Sequence, residues 1–326
     1  MTYFVGVDVS KKKLDCVWLR DVEQVKIKSK SIPNDAEGYS QLVGWLRQHV
    51  SQELSEVHVV LEATSVYHEG LAYFLADQGV KVSVTNPARV RDFAKGLGKQ
   101  HKTDKQDGVL LARYGALTHP VLWEPEAVEI RELKGLLWRL SALEQDLQRE
   151  VNRHDRAYLS GSSEVVLASI RDMSEQLKRE IIRVKQQIDD HINRHPGLRK
   201  DRELLESIPA IGPVLSRELL ALFRSRCFAS AGQAAAFVGL VPKLRESGPW
   251  KGRSHLSKSG SGALRAKLYF AAIVGVRYNP DISSQYERLL KNGKTKMQAL
   301  GAAMRKLLQI CFGVLKHQSK YHPQLG

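Results

Sequence analysis

The chain has 326 residues, 43% of them hydrophobic, and carries 50 Lys and Arg against 35 Asp and Glu, a net charge of +15. The hydrophobic share supports packed cores and excludes a disordered tail, and the length suits two or three domains. The positive excess favours anionic polymers, nucleic acid above all. Cys16, Cys227 and Cys311 stand too far apart for a disulfide framework or a zinc spacing. No stretch approaches the ~20 apolar residues that span a bilayer, so a cytoplasmic protein with no membrane partner is expected.

The charge is uneven. Residues 1–200 hold 30 Lys and Arg against 28 Asp and Glu, whereas residues 201–326 hold 20 against 7. A near-neutral front joined to a nucleic-acid-gripping back is the organisation this implies.

In chain order, residues 3–9 read as a buried strand, and residues 14–19 and 25–30 as two more joined by short turns, an antiparallel meander. Asn34 or Asp35 then caps a helix carrying Tyr39, Leu42, Val43 and Leu46. The apolar run 57–61 predicts a central strand, followed by a helix over about 66–77 that stops at Gly79. A fifth strand over 80–85 ends at Asn86-Pro87. Helices near 88–95 and 105–116 complete a domain of about 120 residues. The order β-β-β-α-β-α-β-α predicts a mixed five-stranded sheet with flanking helices, as in the α/β RNase H-like fold.

Residues 121–200 change character. Ile130, Leu133, Leu137, Leu140, Leu147 and Val151, then Val166, Ile170, Met173, Leu177, Ile181, Val184, Ile188 and Ile192, recur at heptad spacing. The Ser160–Ser163 interruption between the runs predicts a helical coiled-coil hairpin that serves self-association. From residue 201 to 326 a mainly helical domain is expected. Ser207-Ile208-Pro209-Ala210-Ile211-Gly212 looks like the turn of a helix-hairpin-helix, whose backbone N–H groups, Gly212 among them, can meet a DNA phosphate. Residues 243–267 read as a basic loop with Lys243, Arg245, Lys251, Arg253, Lys258, Arg265 and Lys267, opposed by Glu246 alone. Trp250 is placed there to stack on a base.

Four acids stand out. Asp8 lies in the first strand, Glu62 ends the apolar run, and Asp104 and Asp107, three apart at a helix start, share a face. An acid beside buried strand residues is costly unless paired or metal-bound. A carboxylate set suits a hard cation such as Mg²⁺, or Mn²⁺, and two such ions ~4 Å apart can activate one oxygen and stabilise another.

On these residues the chain resembles the insertion-sequence 110 family of transposases, also described as RNA-guided bridge recombinases. Gly6-Val7-Asp8-Val9-Ser10-Lys11 with Leu14-Asp15 is similar to the family's opening strand. Leu61-Glu62-Ala63-Thr64-Ser65-Val66-Tyr67 is similar to its second acidic motif, and Lys102-Thr103-Asp104-Lys105-Gln106-Asp107 to its paired aspartates. Ser207 to Gly212, Phe237 to Pro242, and Ser247-Gly248 through Ser257-Lys258-Ser259-Gly260 with Leu264-Arg265 match its C-terminal domain.

The resemblance implies a RuvC-like first domain with Asp8, Glu62, Asp104 and Asp107 as its metal site. It implies a C-terminal transposase domain with Ser247 as the nucleophile of a phosphoserine intermediate. It further implies donor and target DNA, a noncoding bridge RNA, and homodimers assembling into a tetramer. Pro249-Trp250 after Ser247-Gly248 departs from the small or polar residues expected there, which keeps Ser254 and Ser257 as reserve nucleophiles. His255 is a possible proton carrier. The rival readings are a RuvC-like endonuclease or Holliday-junction resolvase that uses metal-activated water, an actin-like kinase, and a binding protein whose acids are structural.

Overall fold

The computed structural model describes residues 2–21, 26–97, 104–243, 246–247, 250–251, 255–258 and 260–323. It divides into two compact units, Met1–Pro125 and Glu126–Gly326.

The first unit is a five-stranded sheet in the order β3-β2-β1-β4-β5. Strands β1 (Tyr3–Val9), β2 (Lys13–Asp21) and β3 (Lys26–Pro33) form the expected antiparallel meander, and β4 (Val57–Glu62) and β5 (Lys81–Thr85) join it in parallel. Alternation along β1 sends Val5, Val7 and Val9 into one core with α1 (Ala36–His49) and α2 (Glu69–Asp77). On the opposite face, Val60 of β4 packs with Val90 of α3 (Pro87–Gly96) and with Leu111 and Tyr114 of α4 (Asp104–Thr118). Strand β4 therefore carries apolar side chains on both faces, which is why its sequence runs apolar without alternation. The β5 edge is covered from outside. The Trp123 N–H donates to the Val82 carbonyl at 2.7 Å, and the Ser83 hydroxyl meets the Pro120 and Val121 carbonyls.

Helix α4 crosses β1 without intervening side chains. A Cβ placed on Gly6 would lie 2.1 Å from the Gly108 carbonyl oxygen and 2.5 Å from the Ala112 nitrogen. A Cβ on Gly108 would lie 2.7 Å from Val17 Cγ2. Both glycines are required by this approach.

One local expectation is corrected here, and one choice between alternatives is settled. Helix α2 begins at Glu69 and not near Val66, because residues 63–68 are spent in turns, with Ser65 at φ 49° and the Tyr67 N–H bonded to the Thr64 carbonyl. The cap of α1 is Asp35, whose carboxylate accepts from the Gly38 N–H at 2.8 Å. Asn34 has a different task.

In the second unit, α5 (Val128–Leu159) and α6 (Glu164–Arg194) form the long hairpin. Its seam is buried mainly toward its base, with Leu167 the buried residue near its tip. Ile130, Leu133, Leu137, Leu140 and Leu143 meet Ile181, Val184, Ile188 and Ile192, in one core with the helices that follow. Farther out, Val151, Val166 and Met173 are exposed, because the two helices alone do not cover the distal stripe. Helices α7 (Pro196–Glu206), α8 (Pro213–Arg224), α9 (Ala231–Val238), α10 (Gly262–Tyr278), α11 (Pro280–Lys291) and α12 (Lys296–His317) build the remainder. Ion pairs staple the base: Arg217 grips Asp189 at 2.6 and 3.1 Å, and Arg224 meets the buried Asp201 at 2.6 Å.

The turn between α7 and α8 is held from two sides. Asn279 donates to the Pro209 carbonyl at 3.3 Å, and the Tyr321 N–H donates to Ser207 Oγ at 2.9 Å. At its centre Ala210 takes φ 84°, a left-handed conformation that costs a non-glycine residue roughly 1–2 kcal/mol.

Two outcomes follow for stability. Gly6→Ala puts a methyl against helix backbone that cannot yield, so a large fall in the thermal midpoint is expected by circular dichroism. Ala210→Gly relieves strain, offset in part by the freer unfolded chain, and a net gain of about 0.5 kcal/mol is expected from urea unfolding.

Candidate active site

The first candidate site lies on the α4 face of the sheet. Parallel pairing sets Val5 beside Val59 and Val7 beside Leu61. One residue on, the same register brings Asp8 level with Glu62 on the neighbouring strand. Each shares a face with a residue that packs under α4: Asp8 with Gly6, and Glu62 with Val60. Strands in a sheet lie about 4.8 Å apart, so two carboxylates occupy one rung at the ends of two half-shielded strands. Both are partly buried.

The antiparallel partner of Asp8 is Asp15. Directly paired residues project to the same face, so a third acid stands on this rung. The Lys13 ammonium lies 2.8 Å from the Asp15 carboxylate and offsets its charge. In the sequence, Asp15 stands out only as part of a motif. The signal was available in hairpin symmetry, because pairing Val9 with Leu14 across a short turn necessarily pairs Asp8 with Asp15.

Helix α4 starts at Asp104, and its Gly108 sits over Gly6 and beside the Asp15 backbone carbonyl. Its first turn, with Asp107 partly buried, therefore begins beside the Asp8–Asp15 pair. The backbone of Asp104 is in the helix, three residues before Asp107, and Lys102-Thr103 lies outside the described residues. Oxygen-only carboxylate donors fit the preference of a hard divalent cation. Among the described residues, no three His, Cys, Asp or Glu side chains converge closely enough to enclose an ion. Asp8, Asp15 and Glu62 are thus arrayed on one face of the sheet.

The segment after Glu62 is partly sequestered. The Ala63 N–H donates to the Thr85 carbonyl at 3.0 Å, and the Thr85 hydroxyl donates to the Leu61 carbonyl at 3.0 Å. Burial pushes the His68 imidazole below its ordinary value, despite the raising effects of Glu69 and of Thr64 and Ser65 backbone groups.

The second candidate site is in the basic unit. The stretch expected to be a loop contains paired strands: β6 (Pro242–Lys243) with β9 (His255–Leu256), and β7 (Glu246–Ser247) with β8 (Trp250–Lys251). Ser247, the last residue of β7, is the register partner of Trp250, the first residue of β8. The backbone thus places Ser247, Trp250 and Lys251 on one small ladder. Arg245, Arg253 and the reserve serine Ser254 lie outside the described residues.

Lys243, His255 and Lys258 are exposed, and Lys258 has φ 53°. Gly260 is fixed by a close approach, since a Cβ there would lie 2.3 Å from the Phe237 carbonyl oxygen. Two of the expected phosphate-facing cations have work inside the protein. The Arg265 guanidinium donates to the Val238 and Gly260 carbonyls, each at 3.1 Å, and Lys267 pairs with Glu218. Arg265 thus ties the end of α9 to the segment entering α10, and Lys267 ties α10 to α8. Ser257 is partly buried, and its N–H donates to the Val241 carbonyl at 2.9 Å. Gly212 is the N-cap of α8, followed by Pro213 in the first turn.

Comparison with known proteins places these motifs. A DEDD transposase model of the IS110 type matches residues 5–161, and a model described as transposase of the IS116/IS110/IS902 family matches residues 202–287. The chain is 32% identical to the pilin gene-inverting protein of Moraxella bovis, covering 99% of this chain and 98% of that one. It is 31% identical to the protein of the same name from Moraxella lacunata over the same shares. It is also 30% identical to an uncharacterised 42 kDa protein of insertion element IS900 from Mycobacterium paratuberculosis, over 42% of this chain and 34% of that one. Both halves of the chain, and a full-length relative at this identity, lead to one conclusion: the chain belongs to the insertion-sequence 110 family of transposases.

Proposed function

We propose that this DNA transposase cuts and rejoins strands through a covalent phosphoserine at Ser247, assisted by a divalent-metal site of Asp8, Glu62, Asp104 and Asp107. The observation that carries the reading is the rung on which Asp8 and Glu62 stand level, with the first turn of α4 beside it. The strand order, three antiparallel strands followed by two parallel ones, supports an RNase H-like, RuvC-like fold for the first unit.

In the reaction, the Ser247 hydroxyl oxygen bonds to the scissile phosphorus as the P–O bond to one deoxyribose breaks. The serine proton passes to solvent, and the released deoxyribose oxygen takes one from solvent, so no net proton is gained or lost. Rejoining reverses these changes, with a deoxyribose hydroxyl displacing serine. The number of phosphodiester bonds is conserved, so no nucleotide cofactor is consumed. A serine hydroxyl is a weak nucleophile at neutral pH and needs activation. Bound Mg²⁺ or Mn²⁺ supplies Lewis-acid stabilisation of phosphate oxygens. Asp8, Glu62, Asp104 and Asp107 are the residues that would hold it. Cations cannot remove the serine proton, so Lys243, Arg245, Lys251, Arg253 and Lys258 steady phosphate charge. Arg265 contributes mainly by tying the end of α9 to the segment entering α10.

Trp250, the register partner of Ser247, has the aromatic ring to stack on a base. The turn from Ser207 to Gly212 acts as a helix-hairpin-helix contact to a phosphate, through the N-terminus of α8. Ser247 and the carboxylates belong to different units. In the family resemblance, one subunit's acids meet another's serine within a tetramer assembled from homodimers, and a noncoding bridge RNA selects donor and target DNA. Exposed Val151, Tyr158, Leu159, Val165 and Val166 on the distal hairpin support self-association. No described helix is long and apolar enough to cross a membrane.

The test is to incubate protein, cognate RNA and labelled DNA ends with Mg²⁺ and to resolve the products on denaturing gels. Wild type is expected to give a protein–DNA adduct, and Ser247→Ala and Asp8→Ala none. Glu62→Ala is expected to lose cleavage by at least about a hundredfold while retaining DNA binding. Cleavage that persists in Ser247→Ala without any adduct would replace this reading with a water-using nuclease.

A further inference from the structure

The two strands that carry Asp8 and Glu62 end in separate loops, and one side chain ties those loops together. Asn34, between β3 and α1, donates through Nδ2 to the Ser10 carbonyl at 2.8 Å and to the Tyr67 carbonyl at 3.0 Å. Ser10 is two residues past Asp8, and Tyr67 is five past Glu62. The Asn34 Oδ1 accepts from the Tyr39 hydroxyl at 2.7 Å, and its backbone N–H donates to the Lys12 carbonyl at 3.1 Å. This pattern fixes the amide's orientation, because both partners of the NH₂ are carbonyls that can only accept.

Each loop is stiff at its own end. Ser10 and Lys13 exchange bonds through the Ser10 hydroxyl at 2.8 and 3.1 Å, which closes the turn between β1 and β2. The Thr64 N–H donates to the Glu62 carbonyl at 2.8 Å and the Tyr67 N–H to the Thr64 carbonyl at 3.1 Å. Between these two rigid turns, the Asn34 amide is a direct side-chain link. Burial, with the Asp35 carboxylate nearby, pushes the Tyr39 phenol up, so it remains a donor at neutral pH. Tyr39 is in turn seated against Phe74 of α2, with ring centroids 5.7 Å apart.

We infer that Asn34, oriented by Tyr39, is a positioning residue of the carboxylate site, holding the loops after Asp8 and Glu62 at the separation that lets both acids serve one divalent cation. This rests on the metal-site reading proposed above. Side-chain chemistry restricts the role to asparagine. Aspartate has no donors and would face two carbonyl oxygens, and alanine leaves both carbonyls without the link. Repulsion between level carboxylates favours spreading of the strand ends when no cation is bound, and the Asn34 bridge opposes it.

The experiment follows the thermal midpoint of the full-length protein against Mn²⁺ concentration. It compares wild type, Asn34→Ala, Asn34→Asp, Tyr39→Phe and Glu62→Ala, with adduct formation measured at low and saturating Mn²⁺. Wild type is expected to be stabilised by Mn²⁺, and Glu62→Ala not. Asn34→Ala and Asn34→Asp are expected to need about tenfold more Mn²⁺ for half the stabilisation, as when an outer partner of a metal ligand is lost. Their adduct yield should recover at saturating Mn²⁺, which a merely unstable chain would not show.

An Asn34→Ala protein with a lowered metal-free midpoint but the wild-type Mn²⁺ dependence would overturn the inference. Should Asn34→Ala fail to fold, Tyr39→Phe carries the comparison, since it removes one hydroxyl and keeps the amide. A rise of about threefold in the Mn²⁺ requirement supports the role, and no change overturns it. A Glu62→Ala protein that responds to Mn²⁺ as wild type does would instead overturn the metal-site reading beneath it.

Discussion

The backbone-to-backbone approach of α4 to β1 governs the first unit. With no Cβ at Gly6 or Gly108, the helix settles directly on the sheet, and a methyl at Gly6 would meet helix backbone at 2.1 Å. This contact sets the height of the helix along β1 and so decides which of its residues come near the strand ends. Asp107 immediately precedes Gly108, and Asp8 stands two residues beyond Gly6 on the same face. The packing of two glycines thus sets the start of α4, with Asp107, over the end of β1 that carries Asp8. The parallel register of β1 with β4 adds Glu62 by the same logic, since a one-residue slip would send it to the opposite face.

The second unit divides its charges by task. Arg217 and Arg224 are consumed in fastening helices to Asp189 and Asp201, and Lys267 is paired with Glu218. Arg265 is half-buried and ties the Val238 and Gly260 carbonyls. The exposed Lys243 lies on β6, paired with β9, and the exposed Lys258 follows β9. A basic composition therefore overstates how many cations face a phosphate, although the unit's positive excess still favours DNA. Salt sensitivity of DNA binding reports only those cations that displace counterions.

Much of the fold was legible because it rests on period and punctuation. The apolar run 57–61, the alternation of β1, the heptads of α5 and α6, and the stop at Gly79 each have a local physical cause. The level placement of Asp8 and Glu62 was also foreseeable, because adjacent strands ending in acids admit few arrangements. Other features depend on partners distant in sequence. Nothing local to Asn34 says that it bonds to Ser10 and Tyr67, and Asp35 beside it competes for the capping role. Arg265 reads as one more basic residue until the Val238 carbonyl is placed beside it. The short ladders around Ser247 are two residues per strand, below the length at which alternation carries a signal. The distal hairpin shows the converse, since its heptads persist where the single chain offers nothing to cover them.

The central claim is that one metal site is formed by acids from β1, β4 and the start of α4. Iron-directed backbone cleavage tests it most directly. Fe²⁺ is supplied in place of Mg²⁺, ascorbate and peroxide generate hydroxyl radicals at the bound ion, and the protein fragments are mapped by mass spectrometry. Cuts clustered near residues 8, 62 and 104–107, suppressed by excess Mg²⁺ and lost in Asp8→Ala, are the result this account predicts. Cuts confined to other segments, or unchanged in Asp8→Ala, would contradict it.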